Sequence, residues 1–475
     1  MSNDFKPTKL GGLLYCPEEV QGTPNWNFTS DGAANSTTLI CVDTTNVITH
    51  NNNLAAASPY AGITAGRFDY MYVYFYSNTT TTLLQGQVYP VGLQIIDAGA
   101  PLEMRLNISE TMADTPVGTD TFILFGVVQS SDVSVSAGYE NLPRDEFERQ
   151  TLDLPTANKG LQTVSGSFKF EMYGLIQTLE AAVTPRLDVL SHLLKASGTR
   201  SAPVGTTVSA VGGTSTTLLH LTASTTFVVG GWVMVSGEAA QVQTVDSAGA
   251  NQITVLPALS SIPATAAVVY QGEVYTPPDI SHSSLTFLYF QDVQLTECRG
   301  CVCSFGVEGT YGLNIMASCE FDGDAWDMQD SFVVDFEQIS EKTLPFTAGR
   351  SFFGATVLAT NSFEFTQGSG RQALRDTVAG QAQYITTRDG SLKVVYRNQL
   401  LTTKETWEAS GTHALVFVQV GATAGATVLV GGWGQIQDPA ESSDVEGHRY
   451  WDASFGLRDD QTDSNNPKKP QIVRF

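Results

Sequence analysis

Alternation with a period of two, recurring in short segments along the chain, constrains this sequence most. Across residues 163–173, Val164, Phe168, Phe170 and Met172 fall on one side of an extended backbone and Thr163, Ser165, Lys169 and Glu171 on the other. That is the pattern of a strand with one buried and one wet face. Residues 312–321 repeat it, with Leu313, Ile315, Ala317, Cys319 and Phe321 set against Asn314, Met316, Ser318 and Glu320. In FDYMYVYF, residues 68–75, Tyr70, Tyr72 and Tyr74 lie opposite Met71, Val73 and Phe75, so both sides are apolar and both faces are expected to be covered. Further strands are expected at 284–290, 356–365, 392–396, 414–420, 426–430, 450–457 and 471–475. One segment reads as a helix: Thr184 as N-cap, Pro185 in the first turn, Leu187, Leu190 and Leu194 on one stripe, and Gly198 as the stop. The fold class expected is mainly β, with one helix on the flank of a barrel or sandwich.

With 475 residues the chain has material for roughly two to four domains. Between Gly198 and Pro277 the composition shifts to Gly, Ala, Val, Ser and Thr, with short strands expected at 228–235, 241–245, 253–255 and 267–270. Because strand patterns like the preceding ones resume beyond it, residues 199–277 read as a small β module inserted into a loop of a larger domain. On that reading the module decorates the outside, and excising it leaves the rest able to assemble. The boundaries that follow are an N-terminal β-rich extension over 1–120, its share in the first barrel left open, a first β-domain from 121–198 plus 278–335, and a second over 336–475.

The formal net charge of −23 argues against a protein that grips nucleic acid through its phosphates. It suits a surface past which DNA slides, and it also suits simple solubility. The opening MSNDFKPTKL lacks a basic stretch followed by an apolar one, so a soluble compartment and no membrane partner are expected. Six cysteines are too few for a disulfide framework, and they are expected to stay reduced.

Searching for chemistry returns little. There is no G-x-S-x-G elbow, no phosphate-binding G-x-x-x-x-G-K-[ST] loop and no H-E-x-x-H spacing among His50, His192, His220, His282, His413 and His448. Cys298, Cys301 and Cys303 (CRGCVC), with Cys319 further on, supply one metal-like knuckle where a zinc site uses two, so small core hydrophobes are the expected reading and zinc the alternative. Asp322, Asp324 and Asp327 (DGDAWDMQD) depart from a calcium loop in glycine placement and lack a closing Glu, which favours a solvated acidic turn. Asp145, Glu146 and Glu148 are a second acidic group from which a carboxylate pair for glycoside hydrolysis is conceivable. The expectation is a non-enzyme with no cofactor, no metal and no catalytic residue.

The order of patterns is similar to that of bacteriophage tail tube proteins. The charged loop, polar strand and SGSF strand of residues 136–172, followed by the Leu-rich helix of 185–198, resemble their first barrel. Residues 283–323, with a small-residue turn before a glycine-bearing strand and the finish CEFDG, resemble their hairpin. ITTRDGSLKVVY, HALVFVQVGATAGATVLVGGW, HRYWDASFGLRDD and QIVRF then look like a second unit of the same type. The resemblance covers residues 11–34 weakly and 136–475 moderately.

It implies tandem tail-tube-like domains, the major tail protein of a virion assembled in the host cytoplasm, and a tube of stacked rings through which DNA passes without specific binding. Two fused barrels imply three chains per ring with pseudo-sixfold symmetry. The partners implied are further copies of the chain, a tape measure protein, a tail terminator and distal tail or baseplate proteins. The alternative is a carbohydrate-binding baseplate or tail fibre component, in which Tyr70, Tyr72 and Tyr74, or Trp232, would stack on sugar rings.

Overall fold

A computed structural model of the chain describes residues 13–21, 23–24, 27–29, 38–43, 71–77, 83, 85–97, 102–108, 112, 120–128, 130–142, 158–175, 189–195, 199–200, 204–210, 213–224, 227–246, 251–277, 283–291, 294–330, 344–354, 356–376, 380–397, 413–423, 425–441, 450–457 and 470–475. Of the described residues 74% are strand and 2% helix, which makes the protein mainly β, built of antiparallel sheets that include a half-barrel. The alternating segments account for this. Val164, Phe168, Phe170 and Met172 are at most 3% exposed, whereas Thr163, Ser165 and Glu171 on the other side are exposed. Met71 to Phe75 are buried on both faces, as their double apolar pattern requires.

One antiparallel sheet runs through most of the chain. Its neighbours in order are Ser130–Leu142, Asn158–Glu171, Met316–Gly323, Gln294–Thr310, Thr360–Thr366, Gly390–Arg397, Tyr450–Leu457, Ala426–Glu441, His413–Thr423 and Gly349–Phe353. The join between its earlier and later strands is the pairing of Gly306–Thr310 with Ser362–Thr366. The first half of the strand Gln294–Thr310 belongs elsewhere. It pairs with Ser284–Gln291, which pairs with Leu13–Val20, which in turn pairs with Thr121–Val128. Leu13, Leu14, Tyr15 and Cys16 are fully buried there, so the N-terminal strand is a central one.

The helix Val189–Lys195 buries Leu190, Leu193 and Leu194 against this core. Thr184, Pro185 and Leu187 lie outside the described residues. One alternation expectation needs correcting. Leu313 is 62% exposed, because Gly312, at φ +89°, turns the chain and the strand begins only at Met316.

Residues 204–271 form a sheet of their own, in the order Val204–Thr207, Val268–Gln271, Trp232–Val235, Glu238–Asp246, Gln252–Leu256 and Leu218–His220. A bridge between Val208 and Leu221 joins the first strand to the last, closing a six-stranded barrel around Val233, Val242, Ile253 and Val269. Closure leaves no open edge. The strand Glu273–Thr276 has already left the barrel and pairs with the C-terminal strand Gln471–Arg474.

The barrel is not a loosely held decoration. Trp232, Met234 and Ala239 pack on Phe352, Phe417, Leu429, Val473 and Phe475 of the large sheet, with Trp232 edge-on to Phe417 at 5.0 Å between ring centroids. Gln419 accepts a hydrogen bond from Ala239 N and donates to Gly237 O, both at 2.9 Å. Arg350 pairs with Glu238 at 2.6 Å. Gly237, at φ +83°, lies so close to Ala422 O that a Cβ would sit 2.7 Å from it. The seam explains why the module cannot be treated as separable: a fully buried aromatic is worth about 1.5–3 kcal/mol over an exposed one, and several line this interface.

A second fixed point is a buried hydrogen-bond network. Arg474, fully buried, donates to Ser191 Oγ at 2.9 Å, Gly174 O at 2.7 Å and Tyr173 O at 3.0 Å, and its guanidinium lies over the Tyr173 ring. Ser191 and Tyr275 in turn donate to Glu273, itself 1% exposed. Helix, barrel exit and C-terminus are tied together by this network. Arg474→Met is expected to cost about 1–3 kcal/mol in a urea melt, since it removes the three hydrogen bonds made by a buried guanidinium. Excising residues 201–275 is expected to yield a chain that aggregates in sedimentation, because Phe352, Phe417 and Phe475 are then bared.

Candidate functional site

The face of the large sheet turned away from the core is covered by the inserted barrel over its later strands, at Phe352, Phe417 and Leu429, and is open where earlier and later strands join. Two ladders of directly paired residues show its chemistry. One reads Lys169, Ser318, Gly306, Thr366, Ser391, Gly456, and the next reads Glu171, Met316, Glu308, Glu364, Lys393, Ser454. Opposite them, on the core side, lie Phe168, Phe170, Cys319, Phe305, Phe365, Leu392 and Phe455, all at most 3% exposed. The outward surface is thus one of small and hydroxylated side chains with scattered charges.

The charges are unevenly balanced. Glu171, Glu308, Glu320, Asp322, Glu364 and Asp452 project from this face, and against them stand Lys169, Lys393, Arg397 and Arg371, the last reaching it from an adjoining hairpin. Lys169 reaches Glu308 at 2.8 Å and Lys393 reaches Asp452 at 3.0 Å. The Glu308 hydrogen bond and charge raise the Lys169 ammonium above its ordinary value. Glu308 and Glu364 are directly opposed across the join, a placement that costs stability in a sheet.

A hairpin arm, Ser369–Asp376 with Gly380–Arg388, grows from the end of Thr360–Thr366 and folds back over one margin. Arg371 pins it, bonding Asp322 at 2.6 Å and Glu320 O at 2.7 Å.

The residues singled out from sequence are distributed differently. Cys298, Cys301, Cys303 and Cys319 are fully buried free thiols among Phe305, Phe321 and Phe287. Burial pushes Cys298 up to about 12 and holds Cys301 and Cys319 well above the usual thiol range, Cys319 also through a hydrogen bond to Cys303. Neutral, enclosed thiols are poor ligands and poor nucleophiles. Among the described residues no three His, Cys, Asp or Glu side chains come together as a metal site.

Asp322, Asp324 and Asp327 do not form a turn. Asp322 and Asp327 sit on the consecutive strands Met316–Gly323 and Ala325–Asp330, and only Asp324 occupies the bend between them. The pairing of both strands with Gln294–Thr310 overrides the turn-forming composition.

Tyr72, Tyr74 and Trp232 are at most 3% exposed, which leaves them no face on which a sugar could stack. Tyr70, Asp145, Glu146 and Glu148 lie outside the described residues. His220 belongs to the inserted barrel, and His413 stacks on Trp433 at 6.2 Å between centroids.

The wet face was missed as a site because its residues come from strands far apart in sequence. The signal available was the row Thr163, Ser165 and Ser167 on the polar side of 163–173, which needed its neighbours to become a surface. Among the described residues no helix is long and apolar enough to cross a membrane. No family model matches the chain, and no curated protein matches it.

Cys301→Ala is expected to lower stability by about 1–3 kcal/mol, as for other small core truncations, and a chelator should leave the wild-type thermal melt unmoved.

Proposed function

We propose that the chain is a structural virion protein that polymerises into stacked rings forming a phage tail tube, with the wet face of the large sheet turned toward the bore. One observation carries this reading: a single antiparallel sheet joins strands from both halves of the chain and shows, on the part of its outer side that the inserted barrel leaves open, Ser, Thr and Gly interspersed with a majority of carboxylates.

A wall past which duplex DNA must move should offer few hydrogen-bond anchors on long flexible side chains and no excess of fixed cations. Each phosphate neutralised by Lys or Arg releases counterions and holds the duplex. A like-charged wall repels at short range, and the net charge of −23 extends the same sign over the protein.

The sheet also has an open margin. Among the described residues Ser130–Leu142 pairs only with Asn158–Glu171, and it is long and sparsely charged, the kind of edge that invites another chain. Joining such edges head to tail closes a ring. Three chains per ring follow if each contributes two barrel positions. A tape measure protein within the bore, and terminator and distal tail or baseplate proteins at its ends, are the partners this role calls for. The sugar-binding alternative draws no support from Tyr72, Tyr74 or Trp232, which are core.

Purified protein is expected to form hollow cylinders of uniform bore in negative-stain images, with threefold rings in averaged end views. Compact trimers or rods would overturn the reading. Once tubes are in hand, Glu320→Lys combined with Glu364→Lys should make them retain short duplex DNA in a salt-dependent manner, while wild-type tubes do not. Equal indifference to DNA in both would mean that this face does not line the bore.

A further inference from the structure

The strand Gln294–Thr310 bends at Gly300, whose φ of +66° lies in the left-handed region that glycine enters without steric cost. Its register against Ser284–Gln291 slips at the same place, between Leu285 and Phe287. Three other elements close on this bend.

From the N-terminal strand, Glu18 is 4% exposed, accepts from Gly300 N at 3.1 Å and also accepts from the hydroxyls of Ser284 and Thr286. Just beyond that strand, Gln21 donates to Gly300 O at 3.2 Å. From the bend between Met316–Gly323 and Ala325–Asp330, Asp324 donates its backbone N to Arg299 O at 2.9 Å. Its Oδ2 packs where a Cβ on Gly300 would be only 2.5 Å away, and its Oδ1 is buried with no hydrogen-bond partner.

An ionised carboxylate with an oxygen shut from water and from donors is costly, whereas the protonated acid is far less so. Burial first, and the charge on Glu18 second, push the Asp324 carboxyl up to about 7.

The other charged and titratable groups around the bend do not offset this. Arg299 is committed to Glu297 at 2.8 Å, with its guanidinium over the Tyr76 ring. Arg371 of the hairpin arm is committed to Asp322 and to Glu320 O. Cys301 is kept neutral, chiefly by burial. Gln383, which reaches Gly323 O from the arm, carries no charge.

We propose that Asp324 and Glu18 form a proton-operated latch that fastens the N-terminal strand to the bend of the long strand, tight while Asp324 is protonated and looser once both carboxyls are ionised. In the closed latch the acid keeps its proton up to about 7, and release of the strand withdraws the charge of Glu18 and part of the burial, so the value falls toward the ordinary 3.8. The closed form therefore has its full advantage below the lower value. Opening grows as pH rises through the interval, by at most about tenfold per pH unit for one proton, and levels off above about 7.

Hydrogen exchange followed by mass spectrometry on the full chain, from pH 5 to 9 and corrected for intrinsic exchange, tests this. In peptides covering Leu13–Val20 the wild type should open more readily by up to about tenfold per unit between pH 5 and 7, then stay level. Asp324→Asn should remove the slope. Glu18→Gln, which removes the charge and keeps one carbonyl acceptor while its NH2 can donate to the oxygen of a facing hydroxyl, should move the levelling point to lower pH. A wild-type profile flat from pH 5 to 7, a slope that survives Asp324→Asn, or a levelling point unmoved by Glu18→Gln would each overturn the latch. The Glu18→Gln arm decides the matter alone if Asp324→Asn does not fold.

Discussion

The architecture depends on five residues of backbone pairing, Gly306–Thr310 against Ser362–Thr366. Without it the chain would present two sheets with two more open edges. With it, the ladder runs without a break from Ser130–Leu142 to Gly349–Phe353. Backbone donors and acceptors that find no partner in one half find them in the other, which is the strongest demand a buried edge makes. The cost is visible in the side chains: Glu308 meets Glu364 across the join, and Lys169 and Lys393 stand at its flanks.

Long bent strands make the join reachable. Gln294–Thr310 serves Ser284–Gln291 along its first half and Thr360–Thr366 at its end, turning at Gly300 between the two. Ala426–Glu441 does the same later in the chain, pairing with Gln471–Arg474 near its start and with Tyr450–Leu457 toward its end. Each such strand spends one set of hydrogen bonds on local hairpin partners and the other on distant ones. The inserted barrel and the C-terminal strand then brace the second of these strands, through Leu429 clustered with Trp232 and Met234 and through the pairing of Gln471–Arg474 with residues 428–431. Such bracing holds the strands in register, because packed cores and paired edges resist sliding.

Much of the fold was legible because a strand's side-chain period is two whatever its partners are. Val164, Phe168 and Phe170 inward with Lys169 and Glu171 outward followed from spacing alone, as did the doubly covered run at Tyr72 to Phe75. Local turn chemistry overrode that rule at Leu313, where Gly312 reverses the chain, and pairing overrode turn composition at Asp322 to Asp327. The cysteines were legible as core residues since a small apolar thiol fits between aromatic rings. The ladders of the wet face were not legible, since each draws on residues separated by scores of positions.

What the sequence by itself determined is the mainly β class, the inward and outward side of most strands, and an acidic surface: these are properties of composition and of a local period. Only the tertiary structure decided which strand lies beside which. It made Leu13–Val20 a central strand, welded the inserted barrel to the large sheet through Trp232, and set Asp324 beside Glu18 across the bend at Gly300. The physical reason is that strand pairing is non-local. A backbone N–H accepts any extended partner, and the choice among partners is made by the packing of whole faces and the satisfaction of every edge, quantities that no short window of sequence contains.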